Sequence, residues 1–522
     1  MAKPPILLDL VNLSSNMLKI IDNFLNSITM YRLILYFLLI LLAIALSFSI
    51  FHLLPFSPLA LIASITVLVI VSWCTNTVFA TVFESPTNNE SLYISALILA
   101  LIITPPTGIH DYIFLAWAAI LTMASKFIFA IGKKHLFNPV AIAVVITSLV
   151  INQTATWWVG NSIMFPFVLV GGLLIVRKIK RYRLIESFLV VALIETVFFA
   201  VSRGVSPFGG IKNLVIDTPI LFFAFVMLTE PLTTPPTAKL QMMYGGLVGI
   251  LFAPQIHLGP IFSTPELALI AGNLFSYLVS PKIKLVLNLT KEIQLSPDIY
   301  DFVFTPIQKI SYEPGQYMEW TLEHDNPDDR GNRRYFTLAS SPTEPDLRLG
   351  IKFYQNSSTY KKALLNMTID SRIVAGQLAG DFTLPQDKTK KLVFIAGGIG
   401  ITPFRSMVKY LIDKKEQRDI TIFYASKTID DVVYSDVFNQ AQKVLGIKTI
   451  YVLSDGGTVP PGWTGKTGRI DAPLIQTEVP DYQNCYFYVS GPRSMIVTFE
   501  ELLANMGVAK DHLKTDFFPG FA

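Results

Sequence analysis

The fold of the C-terminal half of this chain is decided by one stretch of sequence, Lys391-Leu392-Val393-Phe394-Ile395-Ala396-Gly397-Gly398-Ile399-Gly400-Ile401-Thr402-Pro403. Its first half is a continuous apolar run, which predicts a buried strand. A glycine turn follows, with Thr402 as the predicted N-cap and Pro403 at the first position of a helix that continues to Lys414. Glycines let the backbone approach a diphosphate, and the start of a helix favours negative charge. The stretch predicts a dinucleotide site, although a glycine turn by itself is a weak signal.

Further short motifs surround this stretch in a definite order. They are Arg334-Tyr335-Phe336-Thr337-Leu338-Ala339-Ser340-Ser341-Pro342, Ser357-Ser358-Thr359-Tyr360-Lys361, Phe423-Tyr424-Ala425-Ser426-Lys427, Tyr488-Val489-Ser490-Gly491-Pro492 and Asp516-Phe517-Phe518-Pro519-Gly520-Phe521. Arginine supplies a fork of donors that suits a diphosphate. Hydroxyl caps at the start of a helix leave free N–H groups for an anion. Each motif alone is equally typical of an ordinary turn or helix cap, so the order of the motifs gives them their meaning.

In this order the motifs resemble those of the ferredoxin–NADP reductase superfamily. The resemblance implies an antiparallel β-barrel that binds FAD at about 284–388 and an α/β domain that binds NAD(P) at about 390–522. It implies an NAD(P)H-dependent FAD oxidoreductase with catalytic roles for Thr337, Ser490 and Asp516. The cofactor contacts that it implies are Arg334, Tyr335, Phe336, Thr337, Ser340, Ser357, Ser358, Thr359, Gly397, Gly398, Gly400, Thr402, Pro403, Gly491, Pro492, Phe518 and Phe521.

The chain departs from the family pattern at two of these positions. Phe336 stands where tyrosine is usual, which keeps a flat ring but loses a hydroxyl, and Ser490 stands where cysteine is usual. The donor stays open between NADH and NADPH. Lys427 could pair with the 2′-phosphate of NADPH, whereas Asp430 and Asp431 would repel that phosphate and favour NADH.

The composition separates the rest of the chain from an ordinary soluble enzyme. Of 522 residues, 52% are apolar and 15% are charged, and the mean hydropathy is +0.49, whereas soluble proteins carry about 25% charged residues. The net charge of +4 predicts no nucleic-acid partner. Two cysteines exclude a disulfide framework and any four-cysteine zinc or iron–sulfur site. No metal site is predicted, and scattered single histidines do not favour haem.

Apolar runs in residues 31–281 predict a polytopic α-helical membrane domain. The stretch Leu33–Phe83 has no charged residue and can hold two spans of about 20 residues each. Eight further runs raise the expectation to about ten spans; they are Ser91–Thr104, Asp111–Ile131, Phe137–Asn152, Ile163–Val176, Leu184–Val201, Pro219–Leu228, Gln241–Pro254 and Glu266–Val279. Lysine and arginine placement predicts a cell-membrane protein with its N-terminus and reductase half in the cytoplasm. Residues 1–30 are predicted to form a cytoplasmic amphipathic segment.

The membrane half carries signs of an internal duplication. Thr104-Pro105-Pro106-Thr107 recurs as Thr234-Pro235-Pro236-Thr237, and Pro139 matches Pro265. Five predicted spans separate the copies, and an odd number would invert one half relative to the other. Paired short segments that end in prolines point to a midplane site in inverted-repeat transporters. The alternative is two ordinary helices that end at a Pro-Pro pair by chance.

A few ionisable residues lie within the predicted spans, and Glu230 lies at the end of the short segment Pro219–Leu228. A charge near the bilayer centre costs roughly 3 kcal/mol or more, so Glu195 and Glu230 are candidates for an ion path or a substrate contact. Lys126 and Glu186 lie nearer the cytoplasmic face, where a long side chain can extend its charged end into the interface. For Lys126 and Glu186 the sequence therefore favours a side chain that reaches the interface over a functional role.

This half resembles a family of membrane proteins found both in the Rnf complex, as its D subunit, and in the sodium-translocating NADH:quinone reductase (Nqr), as its B subunit. The resemblance rests on Gly132-Lys133-Lys134-His135-Leu136-Phe137-Asn138-Pro139 and Met227-Leu228-Thr229-Glu230-Pro231-Leu232-Thr233-Thr234-Pro235. That family usually holds a covalent FMN on the threonine of an Asp-Gly-x-Ser-Gly-Ala-Thr motif. The motif is absent here, which leaves a non-covalent second flavin as the expectation for any flavin in this half.

Together the two halves predict a membrane-bound flavoprotein that oxidises NAD(P)H. Electrons would pass from FAD to a membrane or membrane-crossing acceptor such as a quinone, coupled to translocation of a cation, Na+. One alternative is an uncoupled membrane reductase of quinone or of an extracytoplasmic acceptor. Another is a transporter whose flavin domain senses redox state. The lipid bilayer and NAD(P)H are the predicted partners, and the sequence leaves homo-oligomers or additional subunits open.

Overall fold

The computed structural model describes residues 20–22, 24–25, 28–83, 89–131, 134–280, 284–307, 309–328, 331–355, 357–454, 459 and 461–516. The chain divides into two compact units, and the boundary between them follows Ser280. We refer to them as the N-terminal unit and the C-terminal unit. Most of the predicted amphipathic segment, residues 1–30, lies outside the described residues.

The N-terminal unit is helical in the described residues, apart from two short hairpins. Five of its helices begin at a hydroxyl or amide side chain that accepts a bond from a backbone N–H of the first turn, which is ordinary N-capping. The helices are α1 (Met30–Ile50), α2 (Pro58–Val82), α3 (Asn89–Ile102), α4 (Ile109–Ile128), α5 (Pro139–Ile151), α6 (Phe165–Ile179), α7 (Tyr182–Ser202), α8 (Pro207–Ile216), α9 (Ile220–Phe222, continued by a π-turn at Phe223–Met227), α10 (Ala238–Leu251) and α11 (Pro265–Val279). The hairpins are β1 (Ala130–Ile131) with β2 (Lys134–His135), and β3 (His257–Leu258) with β4 (Ile261–Phe262).

The number of helices that could cross a membrane is smaller than the sequence predicts. By length and composition four of the described helices qualify, α1, α2, α4 and α7, and the pair of α8 and α9, bent by 58°, would make a fifth. The prediction of about ten spans is therefore wrong. Helices α3, α5 and α11 have only 14, 13 and 15 residues, or about 20 Å at 1.5 Å per residue, against about 30 Å of hydrocarbon. Pro105-Pro106 follows α3, and a left-handed Asn152 ends α5.

The order of elements repeats after each copy of the duplicated motif. Thr104–Thr107 is followed by α4, the β1–β2 hairpin and α5, and Thr234–Thr237 is followed by α10, the β3–β4 hairpin and α11. Helix α4 packs on α2 and α5, and α10 packs in the same way on α7 and α11. Both closing helices start with a proline in the first turn, Pro139 or Pro265. The repeated order agrees with a duplicated N-terminal unit.

The C-terminal unit contains two six-stranded sheets. The first is antiparallel and has the order β8-β7-β10-β5-β6-β9. Alternating residues of β7 and β9 are buried, as expected for strands with one face on a core. Its strands are β5 (Lys284–Ser296), β6 (Ile299–Thr305), β7 (Tyr317–Thr321), β8 (Arg333–Thr337), β9 (Leu347–Lys352) and β10 (Arg372–Ala379), and α12 (Thr359–Leu365) lies between β9 and β10.

The second sheet is parallel and has the order β14-β13-β12-β11-β15-β16. All six residues of its central strand β11 are buried, which is typical of a strand covered on both faces. Its strands are β11 (Leu392–Gly397), β12 (Ile420–Ser426), β13 (Lys448–Leu453), β14 (Lys466–Thr467), β15 (Tyr486–Ser490) and β16 (Leu513–Thr515), connected through helices that include α13 (Thr402–Lys414), α14 (Ser435–Leu445), α15 (Ala472–Glu478) and α16 (Arg493–Asn505). The chain moves outward from β11 to one edge and then returns to place β15 on the other side of β11, so the strand order reverses there.

Candidate functional site

The site lies where the strand order of the parallel sheet reverses. Strands β11 and β15 are neighbours, with Ala396 paired to Ser490, and ligands of open α/β sheets bind beyond the carboxyl ends of strands at such a switch point. A Cβ on Gly400 would lie 2.5 Å from the carbonyl oxygen of Ser490, and one on Gly491 would lie 3.2 Å from the Cα of Gly397. These glycines let the two loops approach backbone to backbone. The predicted residues Gly397, Gly400, Gly491 and Pro492 therefore lie together at the switch point, where the crevice of such a sheet is expected.

The three predicted catalytic residues meet at this crevice. Ser490 Oγ donates a hydrogen bond of 3.1 Å to Asp516 Oδ2, and the side chain of Thr337 also bonds to Asp516. Thr337 ends β8 of the antiparallel sheet, Ser490 ends β15 of the parallel sheet, and Asp516 follows β16. Loss of water around the carboxyl group raises the pKa of Asp516 to about 7. The hydrogen bonds from the two hydroxyl groups lower this pKa, but their effect is smaller than that of burial. The cluster can therefore change its charge near neutral pH.

Strand β8 directs its predicted cofactor residues to two sides. The Arg334 guanidinium lies 5.0 Å from the ring centre of the buried Tyr360, and the Phe336 ring lies 6.1 Å from the same ring. Tyr335 points the other way and donates a 3.0 Å hydrogen bond to Glu319 Oε2 on β7, as alternation along a strand requires. Arg334 and Phe336 thus share a face, whereas the hydroxyl of Tyr335 is already engaged.

The start of α12, which the sequence predicts as the second diphosphate contact, is linked through a carboxylate to Arg334, the first predicted contact. Ser358 caps α12 by accepting a hydrogen bond from the backbone N–H of Lys361. The backbone N–H of Thr359 donates to Asp328 Oδ2 at 3.2 Å, and Arg334 Nη2 donates to Asp328 Oδ1 at 3.4 Å. Asp328 is therefore an anion bound between Arg334 and the start of α12, the two groups that the sequence predicts to bind an anionic diphosphate. Ser357 contributes differently, since its hydroxyl donates to the carbonyl of Tyr354 at 2.7 Å.

The glycine turn differs in one detail from its prediction. Thr402 was predicted as an N-cap, but residues 398–401 form a 3₁₀ turn that runs directly into α13, so Ile401 is the N-cap and Thr402 is the first helical residue. Thr402 Oγ1 donates to the carbonyl of Ile399 at 3.2 Å instead. Gly398 has a φ of +52°, a conformation that suits glycine. Pro403 was predicted at the first helical position and is the second residue of α13 instead.

Helix α13 also fixes the segment that follows β8. Arg405, only 3% exposed, holds Glu344 with two hydrogen bonds of 2.8 and 2.9 Å and donates to the carbonyl of Ala339 at 2.7 Å. Burial raises the pKa of Glu344, but the bonds from Arg405 outweigh it and hold the pKa below its ordinary value. Ser340 is fully buried and bonds to Tyr312 and the backbone of Arg348. The structure therefore places Ser340 in this clamp rather than on the wall of the crevice.

The three charges considered for donor choice do not have equal access to solvent. Lys427 and Asp430 are exposed, whereas Asp431 is 8% exposed and pairs with Lys352 of β9. Asp431 therefore joins the two sheets instead of facing a nucleotide. The aromatic tail, with Phe518 and Phe521, lies outside the described residues.

Sequence reasoning did not identify several groups that shape the site. Tyr360 lies inside a quoted motif, yet its burial and its contact with Arg334 come from the fold. Asp328 lies in the acidic stretch 325–328, for which turn formation is the obvious expectation. The Arg405–Glu344 pair joins residues 61 apart in the chain, and no local pattern indicates such a pair.

The donor groups present fit a flavin dinucleotide and a nicotinamide dinucleotide. Arg334 carries a guanidinium fork of the kind that suits a diphosphate, and one arm of this fork donates to Asp328. A Cβ on Gly398 of the glycine turn would meet no atom within 4 Å, which leaves that backbone open to a pyrophosphate. Flavin, when bound, accepts a hydride from the nicotinamide and can release electrons singly. The residues of this chain contribute binding, alignment and the titratable cluster of Thr337, Ser490 and Asp516.

Two solved structures match part of this chain. One is a flavohemoglobin from Malassezia yamatoensis with bound FAD and heme, at 21% identity and a TM-score of 0.42, over 60% of this chain and 72% of that chain. Another is the cytochrome b5 reductase domain of Ulva prolifera nitrate reductase, at 19% identity and a TM-score of 0.40, over 45% and 98%.

Comparison with known protein sequences finds relatives of part of the C-terminal unit. Residues 394–501 match the family described as Oxidoreductase NAD-binding domain. The chain is 23% identical to the glycine betaine monooxygenase reductase subunit of Chromohalobacter salexigens, over 44% of this chain and 62% of that protein. It is 28% identical to the F subunit of the Na(+)-translocating NADH-quinone reductase of Serratia proteamaculans, over 37% of this chain and 47% of that protein. The chain thus spans less than two thirds of the length of these relatives. Residues 394–501 thus carry an oxidoreductase NAD-binding domain, and the C-terminal unit is similar in sequence to the reductase subunits named above.

Proposed function

We propose that the whole chain is a membrane-bound flavoprotein that oxidises NAD(P)H and passes electrons from FAD to an acceptor in or across the membrane. The observation that carries this proposal is the meeting of Thr337, Ser490 and Asp516 at the switch point of the parallel sheet. Residues from both sheets complete one cluster there, so a flavin held by the first sheet and a nicotinamide held by the second would come together. Arg334 and the Ser357–Thr359 segment would hold the flavin diphosphate.

A direct test is reduction of the bound flavin by each nicotinamide donor. We expect the purified full-length chain to carry FAD and to lose its yellow absorbance on addition of NADH. NADH and NADPH are compared side by side, because the exposed Lys427 and Asp430 present one charge of each sign to a 2′-phosphate. A colourless protein, or one whose flavin neither donor bleaches, would overturn the proposal.

The N-terminal unit supports a role in the membrane. Its four long apolar helices and its repeated order of elements fit the proposed relationship to the Rnf D and Nqr B membrane family. We place this unit in the cell membrane, with the N-terminus and the reductase unit on the cytoplasmic side, because an even number of spans puts both ends on one side and Lys3, Lys19, Lys282 and Lys284 flank those ends. The name of the relative from Serratia proteamaculans links a reductase of this superfamily to Na+ translocation and quinone reduction in that protein.

Coupling to Na+ is supported by a buried polar network in the N-terminal unit. Asn138 Nδ2 donates to Glu230 Oε2 at 2.8 Å, and the charge of Lys126 acts on the same carboxylate. Lys126 Nζ donates to the carbonyl oxygen of Ser91 at 3.0 Å. Ionisable groups inside a membrane unit are rare, usually pair with one another and commonly mark ion or proton pathways. Glu230 is the proposed cation-handling group.

Proteoliposomes that contain the full-length chain would test the coupling. We expect NADH oxidation to be faster with Na+ than with K+ and to be accompanied by Na+ movement. The Glu230→Gln variant should lose both effects and still reduce its FAD with NADH. Glu186→Gln is the matched control, because Glu186 is an exposed carboxylate of α7. Fast turnover that ignores Na+ and membrane potential would favour the uncoupled reductase, and FAD reduction without turnover on any acceptor would favour the redox-sensing transporter.

A further inference from the structure

The segment between β7 and β8 engages the side chain and the backbone of a predicted flavin contact, Thr359. Asp328 Oδ2 accepts a 3.2 Å hydrogen bond from the backbone N–H of Thr359. In return, the backbone N–H of Asp328 donates to Thr359 Oγ1 at 2.9 Å. His324 Nε2 lies 3.1 Å from the same hydroxyl oxygen. A phosphate that approaches Thr359 therefore meets donors that the segment already uses.

The guanidinium group of Arg334 is enclosed in a similar way. Its side chain is only 11% exposed. Nη1 donates to the carbonyl oxygens of Gly331 at 3.0 Å and Arg333 at 2.6 Å, and Nη2 donates to Asp328 Oδ1 at 3.4 Å. A side-chain carboxylate is replaced more easily than backbone carbonyls at or next to the start of β8. A phosphate would therefore compete chiefly with Asp328 for the fork of Arg334.

A carboxylate and a phosphate require the same kind of donors. Both are anions that form charge-assisted hydrogen bonds with an arginine fork and with backbone N–H groups, and like charges placed side by side at a binding site oppose binding. We propose that Asp328 competes with the diphosphate of FAD for Arg334 and Thr359, and thereby lowers the preference of this chain for FAD over a flavin without phosphate. The inference rests on the proposed function, in which Arg334 and the Ser357–Thr359 segment hold that diphosphate.

The test compares FAD with riboflavin, which has the same flavin ring and no phosphate. The full-length chain in lipid nanodiscs is exchanged into either flavin and diluted in steps, and the fluorescence anisotropy of the flavin gives the Kd. We expect Asp328→Asn to bind FAD at least about tenfold more tightly than the parent, an energy of about 1.4 kcal/mol. Its Kd for riboflavin should stay within about twofold of the parent value, since an uncharged ligand meets no repulsion from a carboxylate.

Two further variants make the test specific. Asp325→Asn is the matched control, because Asp325 is an exposed carboxylate of the same segment and its loss changes the net charge by the same amount. Both Kd values of Asp325→Asn should equal those of the parent. Asp328→Ser also removes the charge and should favour FAD as Asp328→Asn does, so the test does not depend on the folding of one variant.

Three results would overturn the proposal. The first is the parent's ratio of FAD Kd to riboflavin Kd in both Asp328 variants, since it would mean that the carboxylate does not compete. The second is weaker FAD binding in both Asp328 variants, because the carboxylate would then position Arg334 for the diphosphate. The third is an equal gain in Asp325→Asn, which would assign the effect to net charge alone.

These results are separable from the fate of the proposed function, whose test is the bleaching of FAD by NADH. Normal bleaching with an unchanged ratio of Kd values would refute only the role of Asp328. Failed bleaching together with tighter FAD binding in Asp328→Asn would refute the proposed reductase function and keep the role of Asp328. FAD binding to neither the parent nor the variants would refute both.

Discussion

Replacement of Asp516 by asparagine should remove a titration near neutral pH from the nicotinamide site. The asparagine side chain has the same shape, and its Oδ1 can still accept the hydrogen bonds from Ser490 and Thr337. The asparagine side chain, however, does not ionise. In the parent protein, desolvation raises the pKa of Asp516 from 3.8 to about 7. The substitution therefore changes charge while it leaves the geometry of the cluster in place.

The size of the effect follows from this pKa. A rise of about three units corresponds to about 4 kcal/mol, which is the upper limit for the cost of the buried carboxylate to the folded state. Because the folded pKa lies above the unfolded one, this cost is absent below about pH 4, grows as the pH rises to about 7 and is constant above it. The Asp516→Asn variant should thus be more stable than the parent at alkaline pH and equal to it in acid.

Two measurements check this expectation. Thermal unfolding of the full-length chain, followed through release of flavin fluorescence at several pH values, should show a stability difference that rises with pH. Stopped-flow reduction of FAD by NADH should rise in the parent through a pKa of about 7, since a carboxylate beside the crevice favours the positively charged nicotinamide product, and should be flat in the variant. Asp511→Asn, an exposed carboxyl group of the same segment, is the control. Parallel pH profiles for parent and variant would refute the reasoning.

Three further substitutions test the packing around the two units. Gly400→Ala would place a Cβ 2.5 Å from the carbonyl oxygen of Ser490, and overpacking of this kind costs about 1–3 kcal/mol. We therefore expect kcat/KM for NADH to fall at least about tenfold. An unchanged kcat/KM would mean that the crevice is wider than described. Arg405→Met leaves Glu344 buried without its bidentate partner. We expect denaturant titrations to show the C-terminal unit destabilised by about 3–5 kcal/mol. A second substitution, Glu344→Gln, should restore much of the lost stability. Gly245→Val would bring a Cβ within 2.4 Å of the carbonyl of Leu184, where α7 and α10 meet, and should lower the thermal stability of the N-terminal unit, whereas Gly246→Val, with 4.0 Å of clearance, should not.

The sequence was most informative where a single local motif determines the local structure. Apolar residues that run into glycines and then a Thr-Pro pair predict a strand, a turn and a helix, and the structure has β11, a 3₁₀ turn and α13 in that order. The membrane half was harder. Apolar runs cannot show where a helix stops, and the prolines after α3 and the left-handed Asn152 after α5 leave helices too short for a full span.

The sequence by itself determined that two kinds of unit are joined near Ser280, that the second binds two dinucleotides, and that the first contains a duplicated motif. It could do so because glycine turns, hydropathy and repeats are local properties of the chain. Only the tertiary structure decided that Ser490 and Asp516 would share a hydrogen bond with Thr337 nearby, that Arg405 would clamp Glu344, and that Asp328 would lie between Arg334 and Thr359. Those contacts join residues far apart in sequence, and burial, which sets their charge and strength, exists only after the chain has packed.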